Sequence, residues 1–261
     1  MGTASILHTV KVPGKKVGLY GLFLALAAVA PSLAAAPPPP VEAGWPPFQL
    51  EGHVTPMKLP KLQKTPIALT VGGKLLHESD SAGALRELTL DFDRRGTIDP
   101  GAFDICRRSQ LAGDDRLRRC RGAVVATGVA HVSVGTSSSL TVPLTAINGG
   151  WTDGIGRLFI VASSSGSDLQ PLATTVQLTK LPAGPYGLRA VVKIPPIANG
   201  GGKLLDFQLR FMKAARHGSG YVQARCPDGH LRADVVSYGF SDGPTFRGEP
   251  AVRTCLPDIR R

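Results

Sequence analysis

Leu88-Thr89-Leu90-Asp91-Phe92 alternates apolar and polar side chains residue by residue. Successive side chains of an extended chain point to opposite faces, so Leu88, Leu90 and Phe92 share one face and Thr89 and Asp91 the other. Upstream, Ile67, Leu69 and Val71 repeat the alternation before Gly72-Gly73. Downstream, runs of the same kind occupy 124–134, 140–147, 158–162, 174–181, 188–194, 205–211, 221–226 and 231–238. Asn148-Gly149-Gly150, Ser165 through Asp168, Asn199 through Gly202 and Ser241-Asp242-Gly243 carry the Gly and Asn chemistry of turns between them. About ten short strands so separated predict an all-β antiparallel sandwich, with a barrel-like sheet as the alternative and little helix. The one helical window, 102–117, has room for a turn or two.

The predicted domain runs from 67 to 261, with Pro182 to Pro185 as the alternative point of division. From Pro37 to Pro66 prolines are dense, starting with Pro37 to Pro40. Proline lacks the backbone donor that a central strand needs, so 35–66 reads as an extended linker, with Trp45 and Phe48 as its only aromatics. Residues 1–34 have the layout of a secretion signal. Lys11, Lys15 and Lys16 precede an apolar run from Val17 to Ala30, Pro31 ends it, and Ser32-Leu33-Ala34 supplies small residues before a cut between Ala34 and Ala35. The run spans about 21 Å as a helix, short of the ~30 Å hydrocarbon core, so cleavage is expected and an anchor formed by 17–36 is the alternative. No later stretch is long and apolar enough for a membrane-spanning helix. The expected location is secreted or at the cell surface.

Cys106, Cys120, Cys226 and Cys255 all follow the signal, and an even count in an exported chain reads as two disulfides. Three pairings are open. The sequential one, Cys106 with Cys120 and Cys226 with Cys255, is preferred because nearby cysteines meet most often. A zinc site at Cys226, His230 and Cys255 would lack a Cys-x-x-Cys pair and a second histidine, so no metal or cofactor is expected.

The chain has 30 basic and 19 acidic residues. Removing the signal takes three lysines and no acid, which leaves +8 of the original +11. The densest charge is in the segment Cys106 to Arg121, where Arg107, Arg108, Arg116, Arg118, Arg119 and Arg121 face Asp114 and Asp115, on the loop that the expected Cys106 to Cys120 bridge closes. Guanidinium groups on a closed loop suit bidentate contact with phosphate or carboxylate, so this loop is the candidate binding site for an anionic wall polymer. No aromatics interleave with the arginines, and nucleic acid is not expected.

Catalytic patterns fail. No Gly-x-Ser-x-Gly window supplies a nucleophile elbow, and Gly202-Lys203 is preceded by Ile197 where a phosphate loop needs glycine. Asp91, Asp93 and Gly96 open like a calcium loop, but Arg95 and Ala102 stand at ligand positions, so the two aspartates read as a solvated acidic face. His131 lies within a strand and reads as structural.

The stretch Leu88 to Phe92, then Gly96-Thr97-Ile98-Asp99-Pro100, Phe103 to Cys106, a second Cys120 and Val125 to Ala130 resembles exported proteins of unknown function from high-GC actinobacteria. Tyr221 to Pro227 followed by Phe240 to Gly243 resembles the end of the same group. The resemblance implies an exported β-rich protein with paired cysteines and transfers no catalytic residue. The expected function is a non-enzymatic envelope-associated or extracellular module. The alternatives are a hydrolase using distant groups such as His131, Asp91 and a serine, and a carrier of apolar ligands between sheets.

Overall fold

A computed structural model describes residues 48–258 except 77–82, 113–114, 136–137, 164–171, 213–218, 242 and 244. The Ala34–Ala35 cut, Trp45, Asp114 and the turn at Ser165 to Asp168 lie outside the described residues. The all-β expectation holds. Among the described residues ten strands run eight residues or more: β1 Phe48–Thr55, β2 Ala68–Leu75, β3 Leu85–Asp93, β4 Val124–Val134, β5 Ser138–Thr152, β6 Ile155–Ala162, β7 Leu172–Lys180, β8 Tyr186–Lys193, β9 Gly202–Phe211 and β10 His230–Phe240.

All ten belong to one twelve-stranded antiparallel sheet ordered β1-β2-β9-β4-β5-β6-β7-β8-β3-β10. Thr245–Phe246 and Ala251–Thr254 pair along the outer edge of β10. The sheet curls until its ends meet. The Phe48 ring of β1 lies 5.8 Å from that of Tyr238 on β10, and Arg253 Nε donates to the carbonyl of Gly52 at 2.6 Å. Short strands close the structure beyond this seam. Lys58–Pro60 pairs with Leu256–Asp258 in parallel, and Val222–Ala224 pairs with Thr65–Pro66 and Gly96–Ile98.

Three expectations need correction. The linker does not extend to residue 66, because Phe48–Thr55 forms the edge strand β1 along β2. Phe48, Leu50 and Leu59 are buried, and an edge strand followed by short pieces is compatible with the prolines at 56, 60 and 66. Asn148-Gly149-Gly150 is no turn but an irregularity within β5. The chain reverses instead at Asp153-Gly154, where both residues take positive φ, 52° and 78°, as a two-residue hairpin requires. In β9 a bulge between Leu204 and Asp206 resets the alternation, so that Leu204 joins Phe207, Leu209 and Phe211 on the concave side where simple period two would have placed Leu205. Pro182 to Pro185 lies in the connection between the paired strands β7 and β8.

Both disulfides follow the sequential pairing. Cys106–Cys120 spans 5.5 Å and Cys226–Cys255 6.1 Å between Cα atoms. Among the described residues, no helix is long and apolar enough to cross a membrane.

Candidate functional site

The alternation that builds the sheet also lines its concave side. Leu158, Ile160 and Ala162 on β6, Val176 and Leu178 on β7, and Leu188, Ala190 and Val192 on β8 face inward, opposite Leu50 and Val54 on β1 and Leu69 and Val71 on β2. They enclose a cavity of about 320 Å³ whose wall is almost wholly apolar. Sheet size explains the space. About eight strands make a curl that side chains can fill, whereas twelve make a wider one. The inner positions of β6 to β8 carry no aromatic ring. Phe92, Phe207 and Phe211 supply rings to other parts of the wall, while Phe48, Tyr238, Phe240 and Phe246 form one ring cluster and Phe103, Tyr221 and Phe211 another. Ile160, Val176, Leu188 and Phe92 are only half-buried although they point inward. Protein interiors normally pack without such gaps, so this face lacks partner atoms that an apolar guest can supply. The volume falls within the roughly 300–1,000 Å³ range of small-molecule sites. Glu51, Arg232 and Arg253 line the cavity and are exposed, so it reaches the surface along the β1 seam.

The arginine loop lies on the other side of the sheet. Cys106, Leu111, Cys120 and Ala123 form its underside and pack on Ile147, Phe159 and Val161, the convex-side residues of β5 and β6. Asn148, fully buried, fastens it: Nδ2 donates to the carbonyls of Pro100 at 2.9 Å and Asp104 at 3.0 Å. The Asn148 carbonyl accepts from Cys106 N at 2.9 Å. A glycine-flanked asparagine looks like a turn in sequence, and its role as a staple emerges only when the loop folds back over it. Arg107, Arg108, Arg118, Arg119 and Arg121 are exposed and Arg116 is half-buried. Arg119 donates to the Ala112 carbonyl. None of the six forms an ion pair with a described carboxylate. The loop and the cavity are thus separate features, divided by the sheet.

The residues of the hydrolase reading are not brought together. His131 Nδ1 lies 2.6 Å from Asp206 Oδ1 on the neighbouring strand. Asp91 sits on β3, five places away in the sheet, and accepts from Arg189 Nε and Nη2 at 2.8 and 2.9 Å. This bidentate bond raises the Arg189 pKa further. Asp91 and Asp93 are buried, 5 % and 7 % exposed, which corrects the reading of a solvated acidic face. The Arg189 fork covers Asp91, and Asp93 accepts backbone N–H groups of Arg95 at 2.9 Å and Arg232 at 3.0 Å. At the Cys226 turn, Gly229 takes a φ of 86° and His230 remains exposed. Among the described residues no group of three or more His, Cys, Asp and Glu is placed to hold a metal ion. Compared with models of known protein families, with curated proteins and with solved structures, the chain matches none.

Proposed function

We propose that this protein is an exported carrier that takes the apolar chain of a small molecule into the concave face of its curled sheet. The observation that carries the reading is the cavity of about 320 Å³, walled by inward apolar residues, of which Ile160, Val176 and Leu188 are only half-buried. Burying an apolar chain there removes its surface from water at roughly 25 cal/mol per Å² and supplies the wall with missing contacts. Export is supported by the N-terminal basic and apolar pattern of 1–34 and by the two disulfides, which persist in oxidising compartments. Native mass spectra of the purified full chain test the carrier reading. They are expected to show a retained apolar species that organic extraction releases. A bare-chain mass, together with failure to bind added dodecanol, overturns it. Intact mass of exported material tests the location: a chain starting at Ala35 is expected, and Met1 retained in a membrane pellet contradicts cleavage.

A second reading concerns the convex side. The exposed arginines, without ion-pair partners among the described residues, support contact with an anionic wall polymer, which would hold the carrier in the envelope.

A further inference from the structure

A smaller cavity of about 190 Å³ lies beside the apolar one, lined by Asp93, Arg94, Arg95, Arg225, Arg232 and the Gly184-Pro185 turn. Asp93 and Arg232 line both, so the two adjoin. Four arginines thus meet one lining carboxylate at the edge of an apolar chamber, and their existing bonds sort them by role.

Arg94 is committed to the fold. Its Nε donates to Gly184 O at 2.7 Å, and its Nη2 to Leu181 O at 3.1 Å and Tyr186 O at 2.8 Å. Arg95 is likewise engaged, by His230 O at 2.9 Å and by Asp228 Oδ2 at 2.5 Å. Asp93 is occupied by Arg95 and by two backbone N–H groups. Arg225 differs, for among the described residues only the Nη1 of its guanidinium donates, to Leu62 O at 3.3 Å, while its Nε is buried with no partner among them. The Arg232 guanidinium forms no ion pair with a described carboxylate. A buried N–H without an acceptor is unfavourable, and folded proteins seldom retain one without a reason. Lys64, which donates to Gly96 O at 3.1 Å on the apolar cavity's wall, has its ammonium pKa lowered by burial and by the adjacent Arg225.

We propose that the ligand is an anionic amphiphile, with a carboxylate or phosphate monoester headgroup held by Arg225 and Arg232 and its chain in the apolar cavity. The assignment rests on the carrier reading and adds the headgroup chemistry. A guanidinium fork matches either anion, and binding in a partly dehydrated recess strengthens the charge-assisted bonds. The apolar cavity supplies affinity by burial, and the arginines select the charged end.

The test compares dodecanoate, dodecyl phosphate and dodecanol as probes of the full chain by calorimetry at constant ionic strength and neutral pH. Wild type is expected to bind both anions at least tenfold more tightly than dodecanol. R225Q and R232Q should each reduce that preference severalfold while leaving dodecanol affinity within about twofold. Arg232 is exposed, so R232Q keeps the question answerable even where R225Q destabilises the fold. Equal affinity of wild type for dodecanol and the anions overturns the headgroup proposal and leaves the carrier standing. An undiminished anion preference in both variants overturns the choice of arginines. Failure of all three probes to bind overturns the carrier reading itself.

Discussion

Arg253 Nε donates to the carbonyl of Gly52 at 2.6 Å, joining residues 201 apart in sequence. The bond lies on the seam where β1 meets the segment Ala251–Thr254, and no backbone ladder among the described residues joins the two. One side of the curl is therefore held by side chains and by the short Lys58–Pro60 and Leu256–Asp258 pair. Removing the guanidinium leaves an exposed carbonyl that water can satisfy, so R253A should cost global stability little, about 1 kcal/mol at most. Its effect should be local. Amide exchange across 48–55 is expected to quicken about fivefold, read by peptide-resolved mass spectrometry. Unchanged exchange in β1 would show that the clasp does not hold the seam.

Asn148 is the corresponding fastener on the convex side. N148A removes the donor from two backbone carbonyls in a fully buried site, and the expected loss is about 3 kcal/mol. Denaturant unfolding measures it. A loss below about 1 kcal/mol would mean that the Cys106–Cys120 loop is held by its apolar underside alone.

Much of this fold was legible in the alternation. Leu88 to Phe92 does form a strand, and its apolar members do face the interior. The misread parts have physical causes. Phe48 to Thr55 does alternate, but the surrounding prolines masked the pattern, and its place as an edge strand depends on the partner strand β2. Asp91 looked solvated because its cover, Arg189, comes from a strand 98 residues away. The six arginines were visible as a charge cluster, but which side of the sheet carries them was not. The cavity was hidden for a different reason. Inward aliphatics are the same residues whether a sheet packs against another or curls around space, and the strand count in one sheet decides which. Arg225 and Arg232 gave no local signal, since they gather beside Asp93 only through the pairing of β10 with β3 and of Val222–Ala224 with Gly96–Ile98.

The arginine loop should act through charge density. R107S/R118S/R121S is expected to weaken retention on immobilised polyphosphate and to flatten its salt dependence, because each lost contact releases fewer counterions. K74S/K193S/R210S removes equal charge from exposed positions elsewhere and should matter less. Equal weakening by both triples would reduce the effect to net charge.

The second disulfide holds the closing segment. Cys226–Cys255 encloses a sequence separation of 29 residues, and the chain-entropy model assigns such a loop roughly 3.5 kcal/mol. C226S/C255S should lower the unfolding midpoint accordingly. A midpoint within a degree or two of wild type would show that the short parallel pair suffices.

The central claim is that the concave face takes an apolar chain, and Ala190 gives the most direct access to it. Its side chain lines the cavity from β8. A phenylalanine forced into a packed core costs about 1–3 kcal/mol, whereas one entering open space costs less. Calorimetric titration of wild type and A190F with dodecanol at two temperatures therefore reads both the site and its chemistry. The account predicts one dodecanol per wild-type chain, an enthalpy that grows more negative on warming as burial of apolar surface requires, and little or no binding by a stably folded A190F. Absence of binding by wild type up to the solubility of dodecanol, or equal binding by A190F, would contradict it.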